Sequence, residues 1–337
     1  MDSRLQERVR RHIAAYCGVA PDRLGPLDVR LLHDADRQVY RLQPAASPIA
    51  FVLKTRSRGR ALKEGDLDEH ATDAEYDRLS EAWSAATRAE GTVTMPVPVA
   101  SFPEHRAMLT TWCEGTELRR VYYAEAWKWP LSRRRLNGLF ASCGDWLGRF
   151  HNATRRRKNA AWAAERRMYH VNRMIRQLAD HPQNRLRENR LAELAESIRA
   201  GLLVSPDLDV ALLHGNYTLR NVLVGANGAA AVDFEDTRTD AAALDAGQLV
   251  ADIALSAYRP FIREGTRREL AASFLRAYGR HMTLEPERLQ ACALYHLLSA
   301  YYEVTLRTRR NLGSSLLAAR QLDVFSRLLR RPQPGSV

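Results

Sequence analysis

Residues 210–236 read VALLHGNYTLRNVLVGANGAAAVDFED, and the organisation of the whole chain is best understood from this stretch. An apolar run, a polar loop, a strand, a tight Ala-Asn-Gly turn and a second strand follow one another, which predicts a β-hairpin. Asn221 ends the polar loop and Asp233 ends the returning strand, twelve positions later. The hairpin would bring both side chains to one edge. Amide and carboxylate oxygens are ligands for hard divalent cations, so the stretch predicts a metal site at Asn221 and Asp233. Glu235 is a candidate ligand of a second metal, directly or through water.

The sequence pattern of the chain differs before and after Gly115. Before Gly115, strands are predicted at 27–33, 38–43, 49–55, 92–102 and 106–113, with helices at 3–16 and 69–88. After Gly115, long amphipathic helices dominate, including one at 135–154, and after residue 236 the chain is predicted to be helical again to about Arg330. We therefore predict an α+β fold with two lobes. Residues 1–115 would form a strand-rich lobe, and residues 116–337 a mostly helical lobe with the hairpin embedded in it.

The segments HGNYTLRN (214–221) and VDFED (232–236) resemble the aminoglycoside phosphotransferase and choline kinase family, whose members share the protein-kinase-like fold. The family signature is His-Gly-Asp-x4-Asn followed by Ile-Asp-Phe/Trp-Glu. Segments that flank it also resemble the family in the same order; they include FVLKT (51–55), AEYDRLSEAW (74–83), MLTTWCEGTEL (108–118), WLGRFHNAT (146–154) and ALDAGQLVADIA (244–255).

The resemblance implies an ATP- or GTP-dependent, Mg²⁺-dependent kinase and assigns roles to individual residues. Lys54 would pair with the phosphates and Glu75 with Lys54, while Cys113 lies in the nucleotide-binding hinge. Arg220 would act as a positive clamp on the transferring phosphate, or form a salt bridge with a neighbouring acid. Asp245 would brace the catalytic loop, and His214 is expected to be a structural core histidine.

Two departures from the family pattern affect function. The turn HDADRQVYRL (33–42) contains no glycine, and its acidic residues would repel phosphates unless Arg37 or a metal offsets their charge. Asn216 occupies the position of the catalytic aspartate. An amide can hold an acceptor hydroxyl but cannot take its proton, and general-base catalysis contributes roughly 10²–10⁴-fold. We expect nucleotide binding to persist and turnover to fall. An engineered inactive form and a naturally impaired protein both remain open.

The charge of the chain suggests the chemistry of its partners. Net charge is +12, and between Arg119 and Arg176 fifteen Lys and Arg residues face three Asp and Glu residues. Such a field favours anions, so the acceptor is expected to be a sugar, an acidic metabolite or an envelope saccharide rather than a polycation. The basic helical lobe also suggests contact with an anionic surface, and the aromatic cluster at 121–130 suits stacking on a sugar or at a lipid interface. The basic run at 151–167 is predicted to be a solvated helix face.

Three other functions remain open from the sequence alone. A pseudokinase that binds nucleotide and acts by conformation is the main alternative, followed by nucleotidyl transfer on the same fold and a basic nucleic-acid-binding module. The N-terminal residues lack the apolar core of a signal peptide and no apolar run is long enough to span a membrane, so we expect a cytoplasmic protein. The four cysteines are widely spaced, which disfavours a disulfide framework or a zinc site.

Overall fold

The computed structural model describes residues 2–34, 37–56, 71–129, 131–182, 184, 186–256, 259 and 261–307. The chain divides into two compact units. The first contains Met1–Arg88, Thr94–Glu114 and Ala231–Thr237, and the second contains Ala89–Val93, Gly115–Ala230 and Arg238–Val337. The α+β, kinase-like fold class predicted from the sequence is confirmed.

The first unit is built on an antiparallel sheet. Its elements are α1 (Ser3–Cys17), β1 (Leu27–Asp34), β2 (Arg37–Pro44), β3 (Phe51–Arg56), α2 (Ala71–Ala86), β4 (Pro98–Phe102) and β5 (Ala107–Thr111). The strands lie in the order β1-β2-β3-β5-β4. Helix α1 begins at an Asp2 cap and ends at Gly18 in the left-handed conformation. Its buried residues share one core with apolar side chains of the sheet, among them Phe51, Leu53 and Leu109.

The second unit is mostly helical and contains two small sheets. Its elements are β6 (Thr116–Glu117), α3 (Leu118–Glu125), α4 (Arg133–Asn152), β7 (Arg156–Asn159), α5 (Ala160–Ala179), α6 (Glu188–Leu202), β8 (Asp207–Leu213), β9 (Val222–Gly225), β10 (Gly228–Ala231), β11 (Arg238–Ala241), α7 (Ala243–Leu255), α8 (Glu264–Tyr278) and α9 (Pro286–Arg307). One sheet has the order β10-β9-β6 and the other β11-β8-β7. Helices α5, α6, α7 and α9 contribute buried apolar side chains to one core of this unit.

The helices α4 and α8 approach each other closely at Gly144. A Cβ atom at this position would overlap the backbone carbonyl of Phe274. The absence of a side chain therefore permits the backbone contact. The same helix carries Gly138, where a Cβ would meet no atom within 4 Å.

Three features differ from the sequence-based prediction. The basic run at 151–167 is not one helix face, because Arg156–Asn159 forms the edge strand β7 and α5 begins only at Ala160. Strand pairing explains this difference, because β7 pairs with the buried strand β8 and local periodicity does not reveal such a partner. The region after 236 is not helical at once, since β11 comes first, and the strand predicted at 92–102 is shortened to Pro98–Phe102. In the described part of the chain, every helix is too short or too polar to cross a membrane.

Candidate active site

A cluster of opposite charges surrounds Lys54 in the first unit. Lys54 lies on β3, and its Nζ is 2.8 Å from Glu75 Oε1 and 2.9 Å from Asp233 Oδ1. Glu75, on α2, is 3% exposed. Burial alone would lower the pKa of Lys54, but the charges of Glu75 and Asp233 outweigh burial and raise the pKa. Lys54 is therefore held as a cation between two carboxylates.

A second cation, Arg37, lies at the same cluster. Its guanidinium contacts the carboxylate of Glu235 and lies 3.7 Å from Glu75 Oε2. Burial and the neighbouring charge of Asp233 raise the pKa of Glu235, although Arg37 opposes them. Asp233 has a backbone φ of 73°, in the left-handed region that side chains other than glycine rarely adopt. This unusual turn places two carboxylates of one short segment beside two cations. Asp36, whose charge Arg37 was predicted to offset, lies outside the described residues.

In the second unit, the loop that follows β8 is fixed by Asp245 of α7. Asp245 Oδ2 accepts from the His214 backbone N–H at 2.7 Å and from His151 Nε2 at 3.1 Å, and Oδ1 accepts from the Gly215 N–H at 3.0 Å. Burial would raise the pKa of Asp245, but the hydrogen bonds and the charge of His151 prevail and lower it. Gly215 has φ 83°, so the residue type allows the sharp turn at which the loop begins.

The orientation of both asparagine amides in this loop is set by hydrogen bonds. Asn221 Nδ2 donates to the Asn216 backbone carbonyl at 3.0 Å, which directs Asn221 Oδ1 away from that contact. Gln248 Nε2 donates a hydrogen bond to Asn216 Oδ1 at 3.3 Å. The Tyr217 N–H donates to Gln248 Oε1 at 2.9 Å. Asn216 and Asn221 are thus joined in one network with Gln248.

The remaining predicted site residues have plainer surroundings. Arg220 is exposed. Its charge, together with the Leu219 N–H, lowers the pKa of Asp252, but burial is the larger effect and leaves that pKa raised. Cys113 is 7% exposed, and burial raises the pKa of its thiol to about 12. His214 is fully buried and its Nδ1 accepts from the Asn216 N–H at 3.3 Å, which is the environment of a structural histidine.

The predicted metal ligands belong to different units. Asp233 and Glu235 lie in the first unit and Asn221 in the second. Among the described residues, no three His, Cys, Asp or Glu side chains are grouped so as to hold a metal ion.

Sequence reasoning missed several residues that shape these sites. Gln248 lies one helical turn after Asp245, so its spacing placed it on the loop side of α7. Arg78 Nη1 donates to the Glu235 carbonyl. Arg167, buried on α5, lies 2.5 Å from Asp240 Oδ2 and 4.5 Å from the Tyr295 ring. No local pattern marks Arg167, because its partners lie on β11 and α9.

The basic helical unit also exposes apolar side chains. Trp127 is 61% exposed and Leu131 is 92% exposed, with Lys128 Nζ 5.3 Å from the Trp127 ring. Contact of this region with an anionic surface stays a prediction.

Comparison with known proteins agrees with the resemblance seen in the sequence. The profile of the "Phosphotransferase enzyme family" matches residues 28–292. Solved structures with the same fold include a choline/ethanolamine kinase family protein from Mesorhizobium loti, with 16% identity, a TM-score of 0.55, and 97% of this chain and 95% of that chain covered.

Two other solved structures contain bound small molecules. Amicoumacin kinase hAmiN in complex with AMP-PNP, Ca²⁺ and Ami shares 16% identity at a TM-score of 0.53 and covers 97% of this chain and 96% of its own. Glucosamine kinase in complex with glucosamine, ADP and inorganic phosphate shares 15% identity at a TM-score of 0.53, with coverages of 90% and 94%. A search of curated protein sequences gave no match. Because the family profile spans most of the chain, the protein belongs to the phosphotransferase enzyme family.

Proposed function

We propose that the protein is an ATP-dependent kinase that transfers a phosphoryl group to a hydroxyl of a small molecule. GTP is the alternative donor, and Mg²⁺ is the proposed metal. Phosphoryl transfer requires cations against the phosphates, a metal held by oxygen ligands and a group that positions the acceptor. The proposal assigns these tasks to Lys54 and Arg37, to Asp233 with Asn221 and Glu235, and to Asn216, while Arg220 clamps the transferred group.

The observation that carries the proposal is the ion cluster of Lys54, Glu75 and Asp233. Gathering buried charges is costly to folding and is seldom worth its desolvation for stability alone. A lysine held between a helix glutamate and the aspartate of Asp-Phe-Glu is suited to release one carboxylate to a metal and to present its ammonium to a phosphate. Ionisable groups with perturbed pKa values and specific charge partners are candidates for functional sites.

The chemistry of the proposed ligands suits a hard divalent cation bound with a nucleotide. Asp233 and Glu235 supply carboxylate oxygens, and the hydrogen bond from Asn221 Nδ2 to a carbonyl makes its Oδ1 the end suited to a metal. Bound with the phosphates, the cation would neutralise charge that develops during transfer. The nucleotide of amicoumacin kinase and the ADP of glucosamine kinase support a nucleotide as the donor.

Asn216 is proposed to hold the acceptor without acting as a general base. Its side chain is an amide, so the chemical step is expected to be slower by about 10²–10⁴-fold than with a carboxylate. The acceptor is proposed to be a sugar, an acidic metabolite or an envelope saccharide, because the helical unit carries most of the excess positive charge.

The test compares the chain with the Asn216→Asp variant for Mg-ATP binding and for phosphate transfer to a panel of sugars, sugar acids and aminoglycosides. We expect both proteins to bind the nucleotide and the variant to transfer phosphate faster to neutral hydroxyl compounds. Lys54→Met is the matched control and should weaken nucleotide binding in either background. Phosphorylation of polycationic aminoglycosides alone would contradict the proposed acceptor class.

A nucleotide-binding pseudokinase is the second candidate, and Asn216 is the observation that favours it. It predicts nucleotide binding without phosphate transfer in the Asn216→Asp variant, so the same experiment separates the two functions.

A further inference from the structure

The amide at position 216 is turned so that its nitrogen, not its oxygen, is available to a ligand. A backbone N–H can only donate a hydrogen bond. The Tyr217 N–H points at one end of the Gln248 side-chain amide at 2.9 Å, so that end must be the oxygen. The other end is therefore the NH₂ group, whose donor faces Asn216 at 3.3 Å. The oxygen of the Asn216 side chain must therefore accept this hydrogen bond.

The backbone that sets this orientation is firmly held. Tyr217 is fully buried, its hydroxyl donates to the Cys143 carbonyl at 2.8 Å, and its ring stacks on Trp146 at a centroid distance of 5.6 Å. Gln248 lies on α7, one turn from Asp245, which holds the start of the loop. Rotating the Asn216 amide by a half-turn would place two NH₂ groups against each other, which is unfavourable.

Asn216 therefore presents an N–H donor to the ligand, whereas an aspartate at this position would present an acceptor oxygen. Within the described residues, Asn216 Nδ2 has no hydrogen-bond partner, whereas Oδ1 and both backbone groups have one each. This N–H group cannot accept the proton of a neutral substrate hydroxyl, which needs a hydrogen-bond acceptor. An oxyanion is the natural partner of an outward NH₂ group.

We propose that the acceptor is a hydroxy acid, whose own carboxylate binds Asn216 Nδ2 and replaces the missing general base. This inference rests on the proposed kinase function and narrows its acceptor class. In the reaction the acceptor's carboxylate takes the proton of the neighbouring hydroxyl, and the hydroxyl oxygen forms a bond to the γ-phosphorus. The bond from that phosphorus to the bridging oxygen breaks, and ADP leaves with the electron pair. The substrate thus supplies the carboxylate that Asn216 lacks, and the basicity of this carboxylate is similar to that of an aspartate side chain.

The positive field of the helical unit agrees with this acceptor. Fifteen Lys and Arg residues against three acids between Arg119 and Arg176 favour an anionic ligand. Gln248 is then a positioning residue that acts through Asn216, and Asn216 is the residue in contact with the acceptor.

The experiment uses two matched pairs of probes, D-gluconate with D-glucitol and D-glycerate with glycerol, which differ by a carboxylate in place of an alcohol group. Binding is measured by calorimetry in the presence of Mg²⁺ and AMP-PNP, and transfer from Mg-ATP is measured by ³¹P NMR. For the unaltered chain we expect the acid of a pair to bind more tightly by about tenfold or more, the factor for one hydrogen bond to a charged group. Equal binding of acid and alcohol, or binding of neither acid, would overturn the inference.

The Gln248→Glu variant tests the orientation without touching Asn216. A carboxylate still accepts from the Tyr217 N–H but cannot donate, so Asn216 should turn its nitrogen toward residue 248 and its oxygen outward. We expect the preference for the acid to disappear, through a raised KM for the acid with an unchanged KM for ATP. Gln290→Glu on α9 controls for one added negative charge and should keep the preference. An unchanged preference in Gln248→Glu would refute the role of Gln248.

The Asn216→Asp variant separates failure of this inference from failure of the kinase function. It carries its own base and should favour the neutral alcohol, because two carboxylates repel each other. If Asn216→Asp transfers phosphate while the unaltered chain shows no preference for acids, only the hydroxy-acid inference is wrong. If neither protein transfers phosphate to any probe, the kinase function fails, whereas the calorimetric preference still decides the orientation of Asn216.

Discussion

Replacing Asp245 by asparagine should destabilise the helical unit more than any exposed charge change of the same kind. The carboxylate is 1% exposed and accepts from His151, from the His214 N–H and from the Gly215 N–H. In Asp245→Asn, one oxygen becomes an NH₂ group. The best orientation keeps the oxygen toward His151 and His214 and turns the new donor against the Gly215 N–H.

The expected loss of stability follows from changes in these three hydrogen bonds. One hydrogen bond to a charged group is lost, at roughly 1.5–3 kcal/mol. The two that remain lose the carboxylate charge and with it about half of their strength, or roughly 1 kcal/mol each. We therefore expect a decrease of about 3–5 kcal/mol in the free energy of unfolding, measured by urea denaturation. Hydrogen exchange should show faster opening in the peptide that contains His214 and Gly215, since their donors lose the carboxylate.

The matched control is Asp145→Asn on α4. Asp145 also pairs with a histidine, His281, at 2.8 Å and with Arg149 at 2.8 Å, but its side chain is 32% exposed. Solvent screening limits such pairs to about 1 kcal/mol or less. A loss below 1 kcal/mol in Asp245→Asn, or equal losses in the two variants, would refute the claim that Asp245 holds the loop.

The stability lost in Asp245→Asn is expected to depend on pH. The pKa of Asp245 is lowered in the folded state, so its stabilisation is fully present above the unfolded pKa of about 3.9 and is lost as pH falls through the lower folded value. The stability difference between the chain and Asp245→Asn should therefore shrink as the pH is lowered below about 4.

Two further predictions concern packing in the helical unit. Arg167→Met leaves the carboxylate of Asp240 buried without its close partner, which should cost about 3–5 kcal/mol in urea denaturation, and adding Asp240→Asn should recover part of it. Gly144→Ala should lower the free energy of unfolding by about 1–3 kcal/mol through overlap with the Phe274 carbonyl, whereas Gly138→Ala on the same helix should raise it by up to about 1 kcal/mol; equal effects at the two glycines would contradict the close approach of α4 and α8.

Much of the fold could be predicted from the sequence because its signals are local. Periodicity located α1 and α4 to within two residues at their starts, and alternation with turn residues located β1, β2 and β3. The order of motifs then indicated the kinase-like fold class. Strands β7 and β11 were missed, because each has four residues, mostly charged or polar, and becomes a strand only through pairing with β8.

The candidate site was predictable to the extent that the family motifs name its residues. The ion pair of Lys54 with Glu75 was expected from the resemblance and is present in the structure. The contact of Lys54 with Asp233 joins residues 179 positions apart, and the surroundings of Arg167 join three elements. Such contacts depend on tertiary packing, and a single sequence contains no pattern that marks them.

The network around Asn216 also explains why this position can change without rebuilding the loop. Gln248 offers a donor, and a donor is satisfied equally by the oxygen of asparagine and by the oxygen of aspartate. The anchors of the loop, which are Asp245, the buried ring of Tyr217 and the bond from Asn221 to a backbone carbonyl, do not involve the side chain of residue 216. An exchange of asparagine and aspartate therefore alters only the group that faces the ligand. For this reason a difference in phosphate transfer between the chain and Asn216→Asp would report on the chemistry of that group, and not on a rearranged site.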